Sequence, residues 1–183
     1  MRPDLLAEAE QAGGLTEALT RETARTLAAL GREADAVLLT CSTLGPAVDR
    51  VPGPAPTLRA DAALARQAVA GGGRLTVLCA AETTLGPTGA LFAAAARGSG
   101  TAVGVELVPG AWAAFRAGEA DRYLGLILAA ARAARQEGAD RVALAQASMA
   151  PARQRLAEPA AWLLDVPGTG LAAAWAVALG RPA

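Results

Sequence analysis

One phrase occurs three times in this chain, and it limits what the rest can fold into. Thr43-Leu44-Gly45-Pro46 follows the apolar run Ala36-Val37-Leu38-Leu39, and Thr84-Leu85-Gly86-Pro87 follows Leu75-Thr76-Val77-Leu78-Cys79. Ser148-Met149-Ala150-Pro151 follows Arg141-Val142-Ala143-Leu144-Ala145-Gln146. Each copy sets a hydroxyl residue, an apolar residue, a small residue and a proline behind a buried strand. A continuous apolar run suits a parallel strand covered on both faces. The proline suits the first turn of a helix, where its missing N–H costs nothing. The first and third copies match over a longer stretch. Ala34-Asp35 pairs with Ala139-Asp140, Thr43 with Ser148 and Pro46 with Pro151, all 105 residues apart. This is a two-fold internal repeat, and on its spacing Cys41 falls opposite Gln146.

Between these turns the pattern predicts helices over 3–10, 16–30, 87–97, 119–137, 151–157 and 169–179, with further strands over 101–108 and 161–166. Pro46, Pro52, Pro54 and Pro56 make 46–57 a loop or extended segment, since repeated prolines block both helix and central strand. Asp61 reads as the N-cap of a helix to about Ala70. Gly71-Gly72-Gly73 reads as a flexible joint, dividing an N-terminal lobe, 1–70, from a C-terminal lobe, 71–159. Alternating strands and helices predict an α/β fold of two pseudo-symmetric lobes, each a mostly parallel sheet flanked by helices. The repeat is uneven. The second half has a strand–turn–helix unit over 75–97 that the first half has no room for ahead of residue 3, so the first strand and its turn are expected to be missing there. A late start site, a truncated protein or a divergent family member would each account for it.

Two absences exclude most enzyme chemistry. The 183 residues include no histidine and no lysine. Ser-His-Asp and Cys-His mechanisms and His-ligated zinc are excluded, as are a Schiff base and a phosphate-loop lysine. No metal site is expected. Formal net charge is zero with charges scattered, so neither nucleic acid nor an anionic membrane is an expected partner. Two cysteines, Cys41 and Cys79, do not make a disulfide framework, and with no apolar signal core after Met1-Arg2-Pro3-Asp4 a reduced, cytoplasmic setting is expected.

Ligands of an open parallel sheet bind beyond the carboxyl ends of its strands. All three hydroxyl turns lie at that edge, each leading into a helix start where free N–H groups and the dipole favour an anion. Taken singly each is an ordinary helix cap; in three copies Thr43, Thr83, Thr84 and Ser148 read as a shared carboxylate or phosphate cradle. Cys41 opens the first turn between Thr40 and Ser42. A thiol there can accept a proton, donate one or act as a nucleophile, the alternative being a small buried hydrophobe. Cys79, inside an apolar run, reads as structural. Glu82 and Asp165 at strand ends are lesser acid/base candidates, more commonly solvated or capping. Gly168-Thr169-Gly170 mimics a dinucleotide fingerprint, but no ribose-binding acid follows about 20 residues on.

The Thr40-Cys41-Ser42-Thr43 turn after a buried strand, with matching turns at Thr83-Thr84 and Ala147-Ser148-Met149, resembles the aspartate/glutamate racemase superfamily. That group includes amino-acid and hydantoin racemases, maleate isomerase and arylmalonate decarboxylase, and the resemblance covers about Thr16 to Leu179. It implies two lobes with the active site between them, residues 160–183 packing back on the first lobe, no cofactor, and a small carboxylate or amino acid as substrate. It implies a homodimer less strongly. Two thiols on opposite sides of the substrate exchange a proton in the family's racemases. Cys41 matches the first thiol; Thr40, Ser42, Thr43, Thr83, Thr84 and Ser148 match or flank carboxylate-binding positions. The second thiol position is Gln146, whose amide donates a hydrogen bond but shuttles no proton near neutral pH. What this implies is one-sided isomerase or lyase chemistry at Cys41, with Gln146 positioning the substrate, or else a carboxylate-binding module without turnover.

Overall fold

A computed structural model describes residues 2–53, 55–156 and 160–181. Four parallel strands form the larger sheet: β3 (Gly73–Cys79), β4 (Thr101–Leu107), β5 (Arg141–Leu144) and β6 (Leu163–Asp165), in the order β4-β3-β5-β6. A second sheet is the parallel pair β1 (Val37–Leu39) and β2 (Thr57–Arg59). The helices are α1 (Pro3–Gln11), α2 (Glu17–Leu30), α3 (Ala60–Val69), α4 (Leu85–Ala96), α5 (Ala111–Arg116), α6 (Ala120–Gln136), α7 (Pro151–Gln154) and α8 (Val166–Ala178). The fold is thus α/β, with two parallel sheets flanked by helices. Among the described residues no helix is long and apolar enough to cross a membrane.

The central strands β3 and β5 are buried on both faces beyond their first residues, as their apolar runs require, whereas the edge strand β4 leaves one face exposed. Leu78, Val142, Leu144 and Leu163 point to one face, under Tyr123 and Ile127 of α6, Ala111 and Ala114 of α5, and Met149. Leu75, Val77, Cys79, Ala143 and Ala145 point to the other, under Leu64, Ala65 and Ala68 of α3 and Phe92 of α4. This is the two-residue alternation of a pleated strand. A smaller cluster of Leu5, Ala9, Leu19 and Leu44 lies beneath α1 and α2.

The repeat extends through the secondary structure. Elements α1, α2, β1, β2 and α3 correspond in order to α5, α6, β5, β6 and α8. The strand wanting in the first half corresponds to β3; α4 and β4 also have no counterpart there among the described residues. The helices that end each half are exchanged. α3 follows β2 but packs on β5 and β6, whereas α8 follows β6 but packs on β1 and β2. The two helices meet where Gly170 lies against Ala60, a Cβ on Gly170 falling 2.8 Å from the Ala60 Cβ.

Three sequence expectations are corrected. The proline-rich segment is not loop or extended throughout: Gly45–Arg50 forms a 3-10 helix that accepts Pro46 at its start, and the extended remainder runs into β2, which pairs with β1. Asp61 does not cap α3: Arg59 is the N-cap, with extended backbone, and the buried Asp61 carboxylate instead binds the Arg59 guanidinium through two bonds of 3.0 and 2.8 Å. Gly71-Gly72-Gly73 is no free joint, since Gly73 is the first residue of β3 and pairs with Thr101. Pro54, Ala157, the expected end of the helix from Pro151, and the lobe boundary at residue 159 lie outside the described residues.

Candidate active site

Parallel strands deliver their carboxyl ends, and the turns after them, to one edge of each sheet. Here the two edges face each other. Thr43, after β1, and Thr83, after β3, bring their hydroxyl oxygens to 3.3 Å. The buried Ser42 hydroxyl donates to the Ala145 carbonyl at 3.0 Å, tying the first turn to the end of β5. The first two hydroxyl turns and the end of β5 therefore converge.

Gln146 joins them from the β5 side. It is largely buried, and its Oε1 accepts from the backbone N–H groups of Ala80, at 2.5 Å, and Ala81, at 3.2 Å. Those two donors directly follow β3, just before the Thr83 turn. Anchoring the oxygen fixes the amide plane and leaves the Nε2 group as the donor available to a ligand.

Cys41 is partly exposed. Its side chain lies against the Leu5, Ala9, Leu19 and Leu44 cluster together with Leu15 and Leu39. Burial pushes the thiol above its ordinary value; the Leu44 and Thr43 backbone N–H groups and the Thr43 hydroxyl pull the other way, and the Asp61 charge adds to the rise. Burial wins, so the protonated thiol is favoured and the thiolate nucleophile disfavoured.

The remaining candidates lie apart from this meeting point or are already engaged. Thr84 is buried and donates to the Ala81 carbonyl at 2.6 Å, closing its own turn. Ser148 shares a 2.8 Å hydrogen bond with the Tyr123 hydroxyl. Thr40 is exposed at the end of β1. Cys79 is fully buried, and burial raises its thiol, with Thr84 and Thr88 offsetting part of the rise. Glu82 is exposed, and Asp165 pairs with Arg153 at 3.1 Å.

Sequence reasoning missed one part of this edge. A cavity of about 330 Å³ opens beyond β3 and β4, lined by Ala80, Ala81 and Thr83 and by Glu10, Trp112 and Arg116. Arg116 lies 4.0 Å from Glu10, whose Oε1 is buried without a hydrogen-bond partner. Cys41 does not line this cavity. Glu10 and Arg116 sit on α1 and α5, which correspond in order under the repeat, so corresponding helices of the two halves meet at this cavity. Among the described residues no group of three or more His, Cys, Asp or Glu side chains is placed to hold a metal ion.

No protein-family model matches the chain, and no curated protein is significantly similar to it.

Proposed function

We propose that the chain is a cofactor-independent enzyme of the aspartate/glutamate racemase type, acting on a small carboxylate or amino acid. The observation that carries this reading is the 3.3 Å approach of Thr43 and Thr83, hydroxyls from two copies of one repeated turn at the facing edges of two parallel sheets. The substrate carboxylate binds at these hydroxyls and neighbouring turn N–H groups, with Arg116 as the nearby cation. The Gln146 Nε2 group donates to the bound acid and steadies negative charge as it develops. In a decarboxylation the bond from the α-carbon to one carboxylate breaks, CO2 leaves and the electron pair stays on the α-carbon. Cys41, resting as the thiol, delivers the proton that this carbon takes up, and solvent then reprotonates the thiolate. With glutamine at the opposing position, the proton arrives from one side only.

A non-catalytic carboxylate-binding module is the second reading. The apolar contacts of Cys41 and the tethering of the Gln146 oxygen to backbone favour it. One experiment separates the two. The protein is incubated with candidate amino and dicarboxylic acids in D2O, and NMR follows deuterium entering the α-carbon. Deuteration that is abolished in Cys41→Ser supports catalysis. Saturable binding without deuteration or product supports the module. Neither turnover nor binding overturns both.

A further inference from the structure

A second cavity, of about 610 Å³, lies beyond the carboxyl end of β6, walled by α3, α7 and α8. None of Cys41, Thr43, Thr83 and Gln146 lines it. In the order β4-β3-β5-β6 it flanks one end of the larger sheet, and the cavity of Glu10 and Trp112 flanks the other. Its volume falls in the range of about 300–1,000 Å³ common to small-molecule sites, and the carboxyl ends of parallel strands are where such sites form.

Small side chains open this cavity. α3 and α8 touch where Gly170 meets Ala60, and beside that contact Ala63 on α3 and Ala173 and Ala176 on α8 are too short to fill the groove between the helices. Leu164 of β6 completes an apolar floor. The rim is charged instead. Arg153 comes from α7 and donates to the Asp165 carboxylate at 3.1 Å, which makes that pair neutral. Arg66, on α3, is exposed and among the described residues forms no ion pair. Asp165 is the one acidic residue among those lining the cavity, so two guanidinium groups and one carboxylate leave a surplus positive charge over the apolar groove. A cation would be repelled there, a neutral apolar molecule would leave Arg66 unused, and a bare inorganic anion would leave the groove empty.

We propose that this cavity binds a small organic anion with an apolar body, at a site separate from the hydroxyl turns. The body lies in the alanine groove between α3 and α8. The acid group, a carboxylate, sulfonate or phosphate ester, takes charge-assisted hydrogen bonds from Arg66. The Gln67 amide, on the same rim, supplies a further donor. Such a ligand touches both exchanged helices. α3 packs on β5 and β6 and α8 packs on β1 and β2, so a molecule held by both fastens the two halves together. Binding to the folded chain alone then raises its stability.

Fluorescence titration of the full chain with anilinonaphthalene sulfonate, an aryl sulfonate that brightens in apolar surroundings, tests this alongside thermal melting. Saturable binding and a raised melting temperature are expected, whereas a dye that favoured the unfolded chain would lower it. Arg66→Glu is expected to weaken binding by roughly tenfold or more, with the helical circular dichroism unchanged because Arg66 is solvent-facing. Ala173→Leu, which fills the groove, is an independent variant with the same expected loss. Trp175→Ser should leave binding unchanged, since the exposed Trp175 does not line the cavity. The proposal is overturned by a lack of saturable binding, by a lowered melting temperature, or by binding that Arg66→Glu and Ala173→Leu both leave intact. Equal affinity for phenylnaphthylamine, which lacks the sulfonate, overturns it too, as does loss of binding in Trp175→Ser. Each result leaves the reading of Cys41 and the hydroxyl turns untouched, because the deuterium experiment addresses it separately.

Discussion

Cys41 lies between opposing influences, and which one prevails decides its chemistry. Apolar neighbours and the Asp61 carboxylate favour the thiol, whereas the Thr43 and Leu44 donors favour the thiolate, and burial is the largest of these effects. A group raised in this way lends the fold stability that is intact below its unfolded pKa of about 8.5 and is lost as pH rises through the higher folded value. The pH profile of iodoacetamide alkylation at Cys41, read by peptide mapping, should therefore have its midpoint above about 8.5. Asp61→Asn should lower that midpoint, and a wild-type midpoint at or below the ordinary value would contradict the ordering of causes. Asp61 also explains the glycine of the first turn. A Cβ on Gly45 would lie 2.6–2.8 Å from the Arg59 guanidinium, which Asp61 holds in place. The sequence made the approach of Thr43 and Thr83 legible because a repeated turn carried them. It did not make Arg59, Asp61 or Glu10 legible, since their partners follow from long-range packing and from a buried pair that no local pattern announces.

Between elements, the decisive contact is the crossing of α3 and α8. Gly170→Ala would put a methyl group 2.8 Å from the Ala60 Cβ and 3.0 Å from its Cα, so the backbones themselves must part. Replacing a helical glycine by alanine gains about 1 kcal/mol of propensity, but overpacking a closed contact costs about 1–3 kcal/mol. A net loss of stability in urea denaturation is the expected outcome. The double variant Gly170→Ala with Ala60→Gly should recover most of it, and failure to do so would show that the contact does not limit stability. Periodicity and turn chemistry located most helices and strands here, because apolar runs, glycine stops and prolines at helix starts all agreed. They missed β2, where three residues follow a proline-rich stretch and acquire strand geometry only by pairing with β1. They also missed α5, a six-residue helix begun at Gly110 in the left-handed conformation, too short for a periodic signal.

Across the whole molecule the two halves share more than a cleft. The sheet of each is roofed by a helix encoded in the other, so the glycine run at 71–73 marks a point in the chain rather than a plane of separation. A fragment ending there carries α3 with Leu64, Ala65 and Ala68 stripped of the strands that bury them. The complementary fragment carries α8 without the β1–β2 sheet beneath it. Each piece alone should give the circular dichroism of a loosely ordered chain, and mixing should restore cooperative melting; independent folding of either piece would rule out the interdependence. During synthesis the same exchange delays the first half. Strands β1 and β2 leave the ribosome well before α8 does, so nascent protein holds an unroofed hydrophobic floor until late in translation, and that interval is when chaperones would have most to guard.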